Sequence, residues 1–237
     1  MAKLTIATVC GEKYKQFLEE WKQQLPEWVD IIIETDDSNG IYEAKNKIVH
    51  RCKTEWLYMM DVDDIFAFYL KESWFNSMVE KQNADKVILG SDGRMLWQYL
   101  FKTEFIRECY DEVESVKKQL GIPILDIVSC EDMIITATNK WQTSKSAYLP
   151  VCWAQHTVNP VSQTSSKNYN LEKIKSLYRN FPNLVRVSKS LDWEFMQWII
   201  MDQCKNQYWN MYRNFIGNSD EQKACDNYIA NLYKEIE

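Results

Sequence analysis

Three aspartates stand within four residues at the end of a short apolar run. Asp61, Asp63 and Asp64 come directly after residues 56–60, which are aromatic and aliphatic. Carboxylates this close repel one another unless a cation neutralises them, and oxygen ligands at this density suit Mg²⁺ or Mn²⁺. The spacing therefore predicts a divalent metal site. An alternative stays open, in which the acids form a polar turn or cap the start of a helix.

Two further acidic pairs could serve the same site. Asp36 and Asp37 follow a second apolar run, and Glu131 and Asp132 open a later helical stretch. A diphosphate ligand held through a metal would give each pair a role. The alternatives are an Asx turn before Gly40 for the first pair and charge at a helix N-terminus for the second.

Strands and helices alternate in the part of the chain that carries these acids. Residues 4–9, 29–33 and 56–60 have the composition of buried strands, and residues 14–25 and 42–52 carry apolar side chains at helical spacing. This order predicts an α/β fold with a mostly parallel sheet. Ligands of such sheets bind beyond the carboxyl ends of the strands. The three clustered aspartates would lie at such an end.

The later elements and the domain boundary follow from the same patterns. Residues 1–165 are predicted to form the α/β core, and the basic, aromatic-rich residues 166–237 a helical C-terminal extension. The basic part of the extension could contact a diphosphate or an anionic acceptor, or form a solvated helix face. Its aromatic side chains indicate packing, or loose contact with a membrane-bound acceptor. Further helices are predicted over residues 68–82, 100–108, 112–120 and 131–138, and strands over residues 86–89 and 147–154.

Composition excludes several classes of protein. The chain has 237 residues, a formal net charge of −6 and seven cysteines, none in a C-x-x-C pair. The acidic balance argues against a protein that coats nucleic acid over its whole surface. Neither a disulfide framework nor a zinc knuckle is predicted. The amino terminus lacks a signal-peptide pattern, and apolar runs are far below the ~20 residues of a membrane span. We therefore expect a soluble, cytoplasmic protein.

Four segments, in order, resemble the donor half of GT-A glycosyltransferases of family 2. The family's N-x-G-x-x-x-A-R-N motif is similar to Asn39-Gly40 with Ala44-Lys45-Asn46. Its D-x-D-D motif is similar to the apolar run that ends in Asp61-Val62-Asp63-Asp64. Residues 96–106 resemble its W-x-K-L-Y-R-R-x-F-I segment, and Glu131-Asp132 its E-D pair. His156 with the serines of residues 162–166 resembles its late His and Ser-rich loop. The resemblance covers residues 4–166.

The resemblance implies a GT-A fold. It also implies that a sugar is transferred, with inversion, from a nucleotide-diphosphate donor to an acceptor hydroxyl. The favoured donor is a UDP-sugar. A glycan is the favoured acceptor. Mn²⁺ or Mg²⁺ would be held by Asp63 with Asp61 or Asp64, and His156 is a further candidate ligand. Asp61 could instead face the donor ribose. A lone histidine can equally be a surface or core residue.

The resemblance also assigns roles to the remaining candidate residues. Asp132 would be the catalytic base that takes the acceptor proton. Glu131 and Trp97 would shape the acceptor site, although Trp97 could also belong to the core. The residues implied for donor binding are Thr8, Asp36, Asp37, Lys45 and Asp61.

Three other functions stay open at this point. The same donor chemistry could act on modified nucleic acid, with the basic segment contacting phosphates. A sugar-phosphate nucleotidyltransferase ranks behind, because residues 9–13 hold a single glycine where those enzymes have a glycine-rich loop. A non-catalytic nucleotide or glycan binder on the same fold is the third.

Overall fold

The computed structural model of the protein describes residues 2–35, 40–66, 70–90, 98–125, 131–155, 169–199, 206, 208–210 and 212–236. For residues 131–133, 193, 199, 235 and 236 it describes the backbone alone. The chain forms two compact units, residues 1–112 with 138–157 and residues 113–137 with 158–237. The boundary predicted at residue 165 is not tested by this division and stays a prediction.

The strands of the described residues all belong to the first unit. They are β1 (Leu4–Val9), β2 (Asp30–Glu34), β3 (Trp56–Met59), β4 (Ile65–Phe66), β5 (Lys86–Leu89), β6 (Tyr99–Lys102), β7 (Ser146–Leu149) and β8 (Ala154–Gln155). Its helices are α1 (Lys15–Gln23), α2 (Ile41–Arg51), α3 (Glu72–Met78) and α6 (Asn139–Thr143), while α4 (Thr103–Leu120) has residues in both units. A short 3-10 helix, Glu12–Tyr14, precedes α1.

Six of the strands form one sheet in the order β2-β1-β3-β6-β5-β7. The pairs β1–β2, β1–β3 and β5–β7 are parallel, and β6 is antiparallel to both β3 and β5. Strands β4 and β8 form a separate antiparallel pair. The predicted mostly parallel α/β sheet is therefore confirmed. The carboxyl ends of β1, β2 and β3 lie at one edge of the sheet.

The predicted helix over residues 100–108 is wrong at its start. Residues 99–102 form β6, and one continuous helix then runs from Thr103 to Leu120. Leu100 and Phe101 are fully buried because β6 lies between two other strands. A short apolar run that is buried on both faces cannot be told from a helix by periodicity alone. The helix predicted from residue 68 also begins later, at Glu72.

Large aromatic side chains fill the core of the first unit. Trp21, Trp56 and Trp153 are each 1% exposed or less and belong to one apolar cluster with Tyr58 and Phe75. Burial of such side chains contributes about 1.5–3 kcal/mol each. The cluster therefore anchors α1, α3 and the central strand β3 to one another.

Gly90 is required by the connection that follows β5. Its φ is +67°, and a Cβ there would lie 2.8 Å from the carbonyl carbon of Val151 and 2.9 Å from the amide nitrogen of Cys152. Its own N–H donates to the Leu149 carbonyl at 2.9 Å. A side chain at this position would meet both backbone strain and a steric clash. Glycine thus permits the close approach of residues 151 and 152.

The second unit is helical in the part that the structure describes. Its helices are the end of α4, α5 (Glu131–Thr136), α7 (Leu171–Tyr178), α8 (Phe181–Leu191), α9 (Trp193–Ile199) and α10 (Ser219–Ile236), with a 3-10 helix at Arg213–Phe215. The Asp226 carboxylate accepts from the Arg213 guanidinium at 2.9 Å and from the Tyr208 hydroxyl at 2.7 Å. The guanidinium lowers the pKa of Asp226. No helix in the described residues is long and apolar enough to cross a membrane.

Candidate functional site

The clustered aspartates lie on a tight turn at the carboxyl edge of the sheet. Beyond the end of β3, the Met60 N–H still donates to the Ala7 carbonyl of β1 at 2.9 Å. The Asp64 N–H then donates to the Asp61 carbonyl at 3.2 Å and closes a four-residue turn. Val62 is 4% exposed and fixes the turn to the core. The acids therefore lie at the carboxyl end of β3, as the sequence pattern predicted.

The three carboxylates differ in exposure. Asp61 is exposed, Asp63 is half-buried, and Asp64 is only 2% exposed. Burial raises the pKa of Tyr58 on β3 well above its ordinary value, and the negative charges of Asp64 and Asp61 add to this rise. The local field at the turn is thus negative, as a cation site requires. Asp61 and Asp63 are the two carboxylates that a ligand in solvent can reach.

Aromatic side chains before and after the acidic turn pack against one another. The ring centroids of Tyr58 and Trp153 lie 5.1 Å apart, and Phe66 lies 6.3 Å from each of them. Tyr58 precedes the turn, Phe66 follows it on β4, and Trp153 precedes β8. Edge-to-face packing of such rings is favourable beyond the area that it buries. One aromatic cluster therefore packs against the residues on both sides of the turn.

The pairing of β4 with β8 links this turn to the late part of the chain. Ile65 pairs with Gln155, and Phe66 pairs with Ala154. Ile65 follows Asp64 in the sequence, and Gln155 precedes His156. His156 itself lies outside the described residues, as do Asp36, Asp37 and Trp97.

The expected set of metal ligands is not assembled within the described part of the chain. No three His, Cys, Asp or Glu side chains among the described residues are grouped to hold one metal ion. His156 is outside that part, so the set of Asp61, Asp63, Asp64 and His156 stays a prediction. The chemistry of the described donors fits Mg²⁺ or Mn²⁺, because they are carboxylate oxygens in a negative field.

Two of the residues predicted for donor binding, Thr8 and Lys45, lie on β1 and α2. Thr8 is 2% exposed, pairs with Ile33 of β2, and its hydroxyl lies 3.5 Å from the Val9 carbonyl oxygen. Lys45 is 7% exposed on α2. That helix starts after Gly40, whose φ of 89° suits glycine. Thr8 therefore lies near the carboxyl end of β1, and Lys45 is the fifth residue of the helix that follows β2.

The predicted catalytic pair lies in the second unit. Glu131 and Asp132 are the first two residues of α5, and only their backbone is described. Ile134 and Ile135 of the same helix are fully buried, so apolar packing holds this short helix in place. The predicted helix is thus confirmed, while the roles of the two acids stay predictions.

Sequence patterns missed the residues that hold the turn in place. The Phe66 N–H donates to Oε1 of Gln24, the residue after α1, at 2.7 Å. Gln24 and Trp153 lie far from the aspartates in sequence, and neither belongs to a motif. Only the hydrogen bond of Gln24 and the ring contacts of Trp153 in the folded chain reveal them.

Known proteins resemble this chain in fold, while no match in sequence was found. No family model matches the sequence, and no curated protein matches it. The structure of TarS 1-349 from S. aureus in complex with UDP-GlcNAc superposes with a TM-score of 0.55 at 12% identity, over 99% of this chain and 81% of that one. The mannosyltransferase PcManGT from Pyrobaculum calidifontis, in complex with GDP-Man and Mn²⁺, gives a TM-score of 0.45 at 9% identity, over 98% and 88%. The glycosyltransferase GlyE of Streptococcus pneumoniae gives 0.45 at 8% identity, over 86% and 64%.

The architecture is that of the GT-A glycosyltransferases. The mixed six-stranded sheet, its acidic turn after β3 and the superposition over almost the whole chain agree on this fold. The GT-A fold expected from the sequence motifs is therefore confirmed. What the protein does with this fold depends on the residues of its site.

Proposed function

We propose that the protein is a metal-dependent, inverting glycosyltransferase that moves a sugar from a UDP-sugar to an acceptor hydroxyl. The observation that carries the proposal is the turn of three aspartates at the carboxyl end of β3 in a GT-A fold. TarS, which shares this fold, was crystallised with UDP-GlcNAc. Open α/β sheets bind their ligands at this edge.

Asp63 and Asp61 are proposed to hold Mn²⁺ or Mg²⁺, because solvent reaches both side chains: Asp63 is half-buried and Asp61 is exposed. Asp64 is 2% exposed and would act mainly by shaping the turn and its field. His156 is proposed as a further ligand, and the pairing of Ile65 with Gln155 supports it, since these residues adjoin Asp64 and His156 in the chain. When bound, the cation would offset the charge that grows on the leaving diphosphate.

The nucleotide is proposed to bind along the carboxyl ends of β1 and β2. Thr8 would contact it from β1, and Asp36 or Asp37 would accept a hydrogen bond from the uracil imide. The buried ammonium of Lys45 would attract the diphosphate, and its low exposure strengthens that attraction. These assignments follow from the positions of β1 and α2 and from the motif resemblance.

Asp132 is proposed to act as the general base. As the acceptor oxygen bonds to the anomeric carbon, the bond from that carbon to the diphosphate breaks and the acceptor proton passes to Asp132. Attack opposite the leaving group inverts the anomeric configuration. Glu131 and Trp97 would orient the acceptor, for which a glycan is favoured over nucleic acid. A cytoplasmic location is also proposed, and the five described cysteines, all free thiols, support it.

Thermal shift and turnover assays with a panel of nucleotide sugars test the donor site. UDP-sugars with Mn²⁺ should raise the melting temperature and be hydrolysed slowly without acceptor. Asp63→Asn should lose both responses, with turnover falling about a hundredfold or more. Asp30→Asn is the matched control, because Asp30 is an exposed aspartate at the amino end of β2 in the same sheet.

The outcome separates the competing functions. A parent protein that shows no metal-dependent shift with any nucleotide sugar contradicts the donor site. Asp132→Asn that binds the donor but loses transfer supports a base at that position. Binding without turnover in both parent and Asp132→Asn would identify a non-catalytic nucleotide binder.

A further inference from the structure

Strand β4, which follows the acidic turn, forms a backbone hydrogen bond to a side chain that lies in no strand. Strand β4 has two residues and pairs with β8 on one side. On its other side the Phe66 N–H donates to Gln24 Oε1 at 2.7 Å. Gln24 is the C-cap of α1, and its Nε2 donates to the Glu20 carbonyl at 3.3 Å. The side chain therefore bridges the end of α1 to β4.

This bridge completes the attachment of the turn to rigid elements. At the start of the segment, the Met60 N–H donates to the Ala7 carbonyl of β1. At its end, the Phe66 N–H donates to Gln24. A strand as short as β4 has few ladder hydrogen bonds of its own. Each remaining attachment therefore has a large influence on where the turn lies.

We propose that Gln24 is a positioning residue for the metal and donor site, acting through the Phe66 amide to set the place of Asp61 and Asp63. This inference rests on the proposed function of the turn. Groups behind the ligands of a metal typically change its affinity when they are lost. Gln24 touches neither donor nor metal in this proposal; it acts by fixing the end of the segment that carries their ligands.

The chain contains a matched control for this role. Gln82 also follows a helix of the first unit and is half-buried, and its Nε2 donates to the Met78 carbonyl at 2.9 Å. Both glutamines thus bond back to the carbonyl four residues earlier. Only Gln24 adds a contact from its Oε1 to the Phe66 amide. Comparing the two isolates the contribution of that acceptor.

Two measurements on purified full-length variants test the proposal. In Gln24→Met, hydrogen exchange measured by mass spectrometry should quicken in peptides that cover residues 60–66, and Mn²⁺ affinity measured by calorimetry should fall about tenfold. The donor KM should rise more than kcat falls. Gln24→Glu keeps an acceptor oxygen and should restore the slow exchange of the parent. Gln82→Met should behave like the parent in every measurement.

The exchange arm is independent of the proposed function. If the parent binds no Mn²⁺, the donor-site proposal fails, and the exchange of residues 60–66 still decides whether Gln24 holds the turn. Exchange in Gln24→Met that equals the parent overturns the positioning role. An equal loss of Mn²⁺ affinity in Gln82→Met also overturns it, because the effect would then follow from helix ends in general.

Discussion

Charged side chains are arranged differently at the amino edge and at the carboxyl edge of the six-stranded sheet. A groove of about 1450 Å³ runs along the amino edge, and the motifs do not lie in it. Lysines there face glutamates: Lys102 pairs with Glu55, and Lys140 lies 2.7 Å from Glu108. The buried ammonium of Lys86 donates to the Trp141 carbonyl at 3.2 Å. Charge at this edge is largely balanced by the protein itself.

The carboxyl edge concentrates charge of one sign. Asp61, Asp63 and Asp64 share one turn, and the charges of Asp64 and Asp61 add to the effect of burial in raising the pKa of Tyr58. Like charges held together oppose folding, whereas the pairs at the amino edge do not. Charge balance, and not cavity volume, is therefore what selects the carboxyl edge as the proposed site. Four predictions test this contrast, from the largest expected effect to the smallest.

The largest effect is expected from truncating the aromatic support of the acidic turn. Trp153 is fully buried against Tyr58, Phe66, Trp74 and Phe75. Trp153→Ala should lower the free energy of unfolding by about 3–5 kcal/mol, because it leaves a large cavity. Urea denaturation measures the change. Trp153→Phe is the control and should cost much less, since its indole N–H has no hydrogen-bond partner among the described residues.

The next effect concerns the approach of residues 151 and 152 to the end of β5. Gly90→Ala should lower the free energy of unfolding by about 1–3 kcal/mol, because φ is positive and the new Cβ would contact the backbone. Gly121→Ala shares the positive φ of 67° but has open space around its Cβ. It should therefore cost less in the same denaturation assay. Equal costs would show that strain alone, without the clash, decides the effect.

A pH-dependent effect is expected near the amino edge. Burial raises the pKa of the Cys109 thiol from 9.0 to about 12. The folded protein thus keeps a proton that the unfolded chain releases above pH 9, so stability is full below pH 9 and falls as pH rises towards 12. Cys109 should contribute at most about 1.4 kcal/mol per pH unit to this slope. Cys109→Ala should remove that contribution from the free energies of unfolding measured by urea denaturation between pH 8.5 and 10.5.

The smallest effect is expected from an exposed ion pair at the amino edge. The Glu108 carboxylate raises the pKa of Lys140 in a pair that is about half exposed. Solvent screens such pairs, so Lys140→Met should leave the melting temperature and donor turnover unchanged within error. A clear loss of turnover would mean that the amino edge takes part in the reaction. It would contradict the proposal that the carboxyl edge alone carries the site.

Much of the fold followed from local patterns. The alternation of apolar runs and amphipathic stretches predicted β1, β2, β3 and the helices between them to within a few residues. Residues 100–102 were misassigned, because burial of β6 on both faces removes the alternation that marks a strand. The support of the acidic turn by Gln24 and Trp153 was also missed. Both act through contacts with β4 that are distant in sequence.

The sequence by itself determined the class of fold and the place of the acidic turn, since both depend on neighbouring residues: apolar periodicity, and aspartates directly after a strand. Tertiary structure decided which of those acids face solvent, which side chains hold their turn, and that the wide groove lies at the opposite edge. The physical reason is range. Periodicity acts over one or two turns of chain, whereas burial and hydrogen bonding join residues that only the folded chain brings into contact.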